Sequence, residues 1–307
     1  MYTYSGTPAG LDTSLTALQV HHLMKSPTLL ARRFKDIVDE KFIADYLLTG
    51  RYAAVGGAIA YPASDLDIYP KDVPEAVGPG GQYPLTQMDS GQLAIAQTLK
   101  RGIATHVFDE EISRMLINPL NDALTYLGNA IVKQVDSIAL GVIASKVTAT
   151  FASPSAWTGA SAARGIVTSV RRAKAQVSAL KLGLQPTDII LSEDQFEQAM
   201  AELLLAGLLP RENGNPLTTG EWPNVLGLTW VTSPNVPFTD PFMVDRGQLG
   251  GMADENIVSP EFAKAGAVEI ASDRLQGRDG YEPRARRVTV PVVTRPSAGI
   301  RITNTGL

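Results

Sequence analysis

From Leu120 onward the apolar positions Leu120, Leu124, Leu127, Ile131, Val135, Ile138 and Val142 recur at steps of three and four, the signature of one helical stripe. The spacing predicts a helix over 119–146, about 42 Å long at 1.5 Å per residue. Asp122, Lys133 and Asp136 fall off the stripe. Pro119 marks a kink or the junction with a preceding helix. Two more helices are predicted upstream. One runs from Asp12 or Thr13 to Met24, with Leu15, Leu18 and Leu23 on one side. The other starts at Ser26-Pro27, an N-cap with proline in the first turn, and runs to Leu48, where Gly50 ends it. Its charges alternate in sign from Arg32 to Asp45, which suits a solvated or a partner-facing surface.

Over 51–91 the pattern breaks down. Gly56, Gly57, Gly78, Gly80, Gly81 and Gly91 are interspersed with Pro62, Pro70, Pro74, Pro79 and Pro84, and no helix survives that density of breakers. Extended runs at 58–61 and 93–107 flank the stretch, so the expectation is a long open β-hairpin reaching roughly 60 Å at ~20 residues per side. A hairpin of that size is marginal in water alone. It needs a second layer, and its own stretch of chain offers none.

After the small polar run 148–159 the texture alternates. A helix is predicted over 160–182, a buried strand over 187–191 (TDIIL), and a capping box of Ser192 and Gln195 opening a helix that Gly207 stops. A loop over 208–224 precedes strands near 225–232 and 242–244. The chain then becomes strands only, at 266–270, 287–294 and 299–303.

Composition removes several kinds of chemistry. The 307 residues contain no cysteine and three histidines, with a formal charge of −4 and 19% charged residues. Disulfides, thiolate nucleophiles and Cys-ligated metals are excluded. There is no G-x-S-x-G elbow, and Gly78-Pro79-Gly80-Gly81 lacks the Lys-Ser/Thr of a phosphate loop. His106 reads as a structural histidine, and Asp65 and Asp67 have no companion acid or histidine near them in sequence. No catalytic, cofactor-binding or metal site is therefore expected. At 44% hydrophobic residues the chain reads as a soluble globular protein, with two domains as the prior for its length. The first ten residues lack the basic-then-apolar order of a signal peptide, and the apolar window 138–144 is too short to span a bilayer.

Charge is unevenly placed. Residues 65–75 hold Asp65, Asp67, Asp72 and Glu75 against Lys71, whereas 273–301 hold seven arginines, Arg284, Arg286 and Arg287 among them, against three acids. An acidic arm and a basic platform could be complementary between copies, or could be two unrelated solvated surfaces. Arg164, Arg171, Arg172, Lys174 and Lys181 lie on a helical stretch without an acid, either a solvated face or a nucleic-acid surface.

The order of elements, arm, Gly/Pro-rich hairpin, long spine helix, inserted α/β unit and terminal strands, resembles the major capsid proteins of tailed bacteriophages with the Hong Kong 97-like fold. The segment Val225-Leu226-Gly227-Leu228-Thr229-Trp230-Val231-Thr232-Ser233-Pro234, followed by Phe242-Met243-Val244-Asp245-Arg246, is similar to that family's apolar strand, Ser-containing turn and next short strand. The resemblance implies an α+β fold. Residues 1–50 would be the N-terminal arm and helix, 51–100 an extended hairpin loop lying over a neighbour, 101–152 with 259–307 the peripheral domain, and 153–258 the axial domain.

It also implies pentamers and hexamers in an icosahedral virion shell, assembled in the host cytoplasm. The shell would enclose double-stranded DNA without sequence-specific binding, with separate scaffolding, portal and decoration proteins and no membrane. Within this frame the acidic stretch Asp65, Asp67, Asp72 and Glu75 is expected to dock on Arg284, Arg286 and Arg287 of a neighbour. Reversing Arg286 and Arg287 to Glu should then weaken assembly. A crosslink between Lys71 and Asn304 has no motif behind it. An encapsulin-type nanocompartment is the alternative reading of the same fold, and a soluble α/β enzyme built on 153–258 the alternative from another class.

Overall fold

The computed structural model describes residues 16–38, 42–63, 72–86, 91–114, 119–159, 161–207 and 225–306. Helices α1 (Ala17–Lys25), α2 (Pro27–Val38) and α3 (Ile43–Leu47) come first. Strands β1 (Gly50–Ala53), β2 (Ala58–Pro62), β3 (Leu93–Gln97), β4 (Leu99–Ala104) and β5 (Val107–Phe108) follow, then α4 (Asp109–Arg114) and the spine helix α5 (Pro119–Lys146). Next are β6 (Thr150–Ala152), α6 (Ala162–Ala179), β7 (Asp188–Leu191), α7 (Glu193–Leu205), β8 (Thr229–Thr232) and β9 (Phe242–Val244). The chain ends in β10 (Gly250–Asp254), β11 (Ala263–Ala265), β12 (Val268–Leu275), β13 (Gly280–Val293) and β14 (Gly299–Thr303).

The spine helix has the predicted ends. Its apolar stripe packs against α2, α3, β4 and β13. By length and hydropathy this helix could cross a bilayer, but here it is a core element flanked by helices on one side and sheet on the other. The first helix begins later than predicted, where Thr16 and Gln19 form a capping box. The predicted long second helix is divided: α2 and α3 are separate elements, and the stretch between them lies outside the described residues. Ser192 and Gln195 form the expected capping box on α7.

Two larger sheets are formed, and the spine packs on the first of them. The larger has the order β1-β10-β13-β12-β11, with β4 and β5 also paired to β13. Its organiser is β13, antiparallel to β12, β4 and β10 along successive stretches. The smaller sheet has the order β6-β14-β9-β7-β8 and carries α6 and α7. These sheets apportion the chain differently from the expected domain ranges. Strand β10, inside the expected insert, belongs to the large sheet, and the terminal strand β14 belongs to the small one.

Strand β10 was not anticipated because it opens with Gly250-Gly251, which reads as a break. The structure uses both glycines for close backbone approach. A Cβ at Gly251 would overlap the Gly50 carbonyl on β1, and one at Gly250 would overlap the Val292 carbonyl on β13. Gly251→Ala should therefore lower stability by about 1–3 kcal/mol, read as an earlier midpoint in chemical denaturation. A midpoint equal to wild type would show that β1 can move aside at no cost.

Candidate functional site

Among the described residues the longest exposed stretch belongs to the hairpin. Strands β2 and β3 pair in register from Ala58↔Gln97 to Pro62↔Leu93. Because side chains alternate across a strand, one face turns inward. Tyr61, with Ile59, Ala94 and Ala96 beside it, packs on Ala253, Val290 and Val292 of the large sheet. Glu255 fixes the base by accepting the Gly57 N–H at 3.0 Å and the Thr98 hydroxyl at 2.6 Å. The other face has no cover: Leu93 and Ile95 are 72% and 75% exposed. Between the strands, all of residues 72–86 but Val77 are exposed, and Leu85 at 97% is nearly free of contact. Scattered surface hydrophobics are ordinary, but an apolar strip on an outstretched arm marks an interaction surface.

Asp72 and Glu75 lie on this exposed run; Asp65, Asp67 and Lys71 fall outside the described residues. The expected basic platform is not free. Arg287 has a side chain 0% exposed; it gives Asp45 two bonds of 2.8 Å and reaches Asp254 at 3.2 Å. Arg286 is buried, bonds Glu269 at 2.7 Å and stacks 3.7 Å from the Phe262 ring centre. Arg284 is held by Asp273 and Glu261. Arg274 and Arg301 are also ion-paired within the chain. Within the chain the charges of Arg286 and Arg287 hold β13 to its own neighbours, and their burial argues against the docking role expected for them.

This ionic cluster reveals a junction that the residue pattern did not. Helix α3 is too short to be stable alone, and three side chains fix it. Asp45 on α3 meets Arg287; burial pushes the Asp45 carboxyl up, but the hydrogen bonds and charges of Arg287 and Arg51 together hold it below its ordinary range. Asp136 on the spine accepts the Ala44 N–H at 2.9 Å. It is 1% exposed, not off the buried side as the helical spacing placed it, because α3 covers that side of α5. Burial pushes its pKa up to about 7, with the Asp45 charge adding to the rise, against the lowering by the Ala44 and Ile43 N–H groups and Arg287. Tyr46, last of the three, donates to buried Asp188 of the small sheet at 3.0 Å. The spine, the large sheet and the small sheet therefore meet at α3, through Asp136, Arg287 and Asp188.

The small layer has a third surface. Helix α6 exposes Arg164, Arg171 and Arg172, and Lys181 follows just beyond its end. Beside it, α7 exposes Asp194 and Glu197 with Glu193 and Glu202 half-buried. The acidic face was not singled out in the sequence; the absence of any Lys or Arg from 193–205 was its signal. Both helices cover a core in which buried Trp157 donates to Ser169 at 2.9 Å and lies near Trp230. No group of three His, Asp or Glu among the described residues could hold a metal.

An arm with an uncovered apolar face, a long spine and a helix-covered second sheet define a subunit shaped for assembly with others. Solved chains share this architecture. They include the capsid of Cyanophage P-SCSP1u, with TM-score 0.58 and 14% identity over 85% of this chain and 87% of that one. The virus-like particle from Pyrococcus furiosus has TM-score 0.57 and 10% identity over 89% and 97%. The mature capsid of bacteriophage PhiM1 has TM-score 0.53 and 9% identity over 83% and 85%. At those identities the likeness shows the fold, which is that of viral and virus-like capsid subunits. No curated protein matches the sequence. A family model described as phage capsid protein matches residues 92–302. The chain belongs to the phage capsid protein family, and it is a structural major capsid protein.

Proposed function

We propose that copies of this chain assemble as pentamers and hexamers into an icosahedral shell enclosing the double-stranded DNA of a tailed phage, without sequence-specific contacts and without catalysis. The observation that carries the reading is the hairpin: an arm with one face anchored on its own sheet and the other, with Leu93, Ile95 and the run to Leu85, left to water. A surface of that kind becomes favourable when a neighbouring copy covers it. In this reading the β2–β3 arm is the extended loop over a neighbour, the large sheet with α5 is the peripheral body, and the layer of α6 and α7 is the axial unit. Asp72 and Glu75 would meet the neighbour at a site other than β13. Scaffolding, portal and decoration proteins would be separate chains, and assembly would take place in the host cytoplasm.

The match to a phage capsid family disfavours the nanocompartment alternative. It equally disfavours a soluble enzyme on 153–258. Electron microscopy of the purified protein is the test. Closed shells tens of nanometres wide are expected; a monomer at all concentrations in sedimentation would reject the proposal.

A further inference from the structure

The β2–β3 arm is a two-stranded sheet of its own, joined to the body at two points. Residues 54–57 connect β1 to β2, with Gly56 and Gly57 in the left-handed region at φ 67° and 80°, and Thr98 alone separates β3 from β4. The two joints face each other, since the Thr98 N–H donates to the Gly57 carbonyl at 2.9 Å. Glu255, the residue after β10, holds both: Oε1 accepts the Gly57 N–H at 3.0 Å and Oε2 the Thr98 hydroxyl at 2.6 Å. Its own N–H donates to the Val288 carbonyl of β13 at 3.0 Å, so the carboxylate stands on the large sheet. The apolar contact under the arm, Tyr61 with Ala253 and Val292, is a small cluster separate from the main core.

We infer that Glu255 is the positioning residue that sets the angle of the arm against the body and, through that angle, the curvature with which copies close into a shell. The inference rests on the shell reading above, in which the arm lies over a neighbour. Three considerations lead to it. First, burial of apolar surface is non-directional. Tyr61 and the alanines around it hold the arm down without fixing its direction, whereas hydrogen bonds weaken steeply once donor and acceptor misalign. Second, the acceptor is a carboxylate with one oxygen for each joint, and bonds to an ionised acceptor are roughly twice as strong as neutral ones. Rotating the arm about its base must lengthen at least one of them. Third, the arm is a lever. Five paired residues at the strand rise reach about 17 Å, so a turn of about 10° at the base moves the far end by roughly 3 Å. A head-to-tail contact closes into a ring or runs on as an open filament according to the rotation it imposes.

Three substitutions test this through the shape of the product and not its yield. Glu255→Ala frees both joints but leaves the apolar faces of the arm intact. It should still assemble, as a mixture of diameters, tubes and open sheets, with the fraction of particles at the wild-type diameter reduced at least fivefold in electron micrographs. Glu255→Gln keeps an oxygen for the Gly57 N–H and an amide that donates to the Thr98 hydroxyl, so it should retain the wild-type diameter. Thr98→Val removes one bond and no charge, and should broaden the distribution less than Glu255→Ala. Adding it to Glu255→Ala should change nothing further, because both act on one clamp. In the dispersed subunit, amide exchange over 57–61 and 94–98 should rise at least tenfold in Glu255→Ala and stay at the wild-type rate over the spine helix.

The inference is overturned if Glu255→Ala shells keep the wild-type diameter, whatever their yield, since a merely structural role lowers yield alone. It is also overturned if that variant is folded yet forms no assemblies, if Glu255→Gln is as polymorphic as Glu255→Ala, or if the Thr98→Val effect adds in full to it. Should Glu255→Ala not fold, Thr98→Val against wild type decides, an unchanged diameter counting against the clamp. A wild type that never forms shells would sink the shell reading instead, and amide exchange in the dispersed subunit would still decide whether Glu255 holds the arm.

Discussion

Replacing Arg287 by Met will destabilise the subunit by about 3–5 kcal/mol, a loss large enough to leave little folded protein for assembly. The side chain is wholly buried and answers two carboxylates, Asp45 on α3 and Asp254 on β10. Removing it leaves Asp45 with only the exposed Arg51 as a counter-ion, in a site that still excludes water. Much of the cost is therefore the stranded charge and not the lost attraction. Arg287→Met combined with Asp45→Asn should recover part of the loss, because no ionised carboxylate then remains on α3. Urea denaturation of the dispersed subunit measures both. A single variant as stable as wild type would mean that water reaches the cluster.

Linkage gives the same pair a pH signature. The folded pKa of Asp45 lies below its unfolded value of 3.8, so its contribution is present above that value and disappears as pH falls through the folded pKa. The burial of Arg287 also changes how charge reversal must be read. Turning Arg286 and Arg287 to Glu would weaken assembly, but by unfolding β13, so the outcome would carry no information about docking of the acidic loop.

The sequence pattern reached furthest where a single periodicity dominates. The spine, the Ser192 capping box, β7 and β9 follow from local spacing and cap chemistry, and a hairpin follows from breaker density flanked by extended runs, but its short five-residue pairing and its packing on the chain's own large sheet do not. It failed where tertiary contact reverses a local signal. Gly250-Gly251 looks like a break and is a strand, because two neighbouring backbones approach too closely for a Cβ. The first part of β13 was hidden by Asp279-Gly280 and Pro283, which read as a turn, although only Asp279 of these has a left-handed backbone. Net charge misled for a related reason. Counting arginines over 273–301 gives a basic platform only if their partners are ignored, and those partners, Asp45, Asp109, Asp240, Asp254 and Glu269, are mostly distant in sequence. In α6 and α7 the local count survives folding among the described residues, because neither helix carries a charge of the opposite sign.

Asp136 should make the subunit less stable as pH rises from about 4 to 7, opposite in direction to the acid loss set by Asp45. Its folded pKa, near 7 against 3.8 when unfolded, means that the folded chain binds a proton that the unfolded chain has released in that window. Stability then falls with pH between the two values and is level beyond each. The ceiling is on the order of 4 kcal/mol for a shift of about three units, and relaxation around α3 will reduce it. Asp136→Asn keeps an oxygen for the Ala44 N–H and cannot ionise. It should match wild type near pH 4, exceed its stability by about 2 kcal/mol at pH 8, and show no slope between.

The location of the change is as specific as its size. Ionising Asp136 places a second negative charge beside Asp45, while Arg287 is already committed to Asp45 and Asp254. The strain falls on α3, the helix that joins the spine to both sheets. Amide exchange at Ala44 to Leu48 should accelerate above pH 7 beyond the intrinsic base-catalysed rate in wild type but not in Asp136→Asn. A pH slope that persists in the variant would assign the effect to another group.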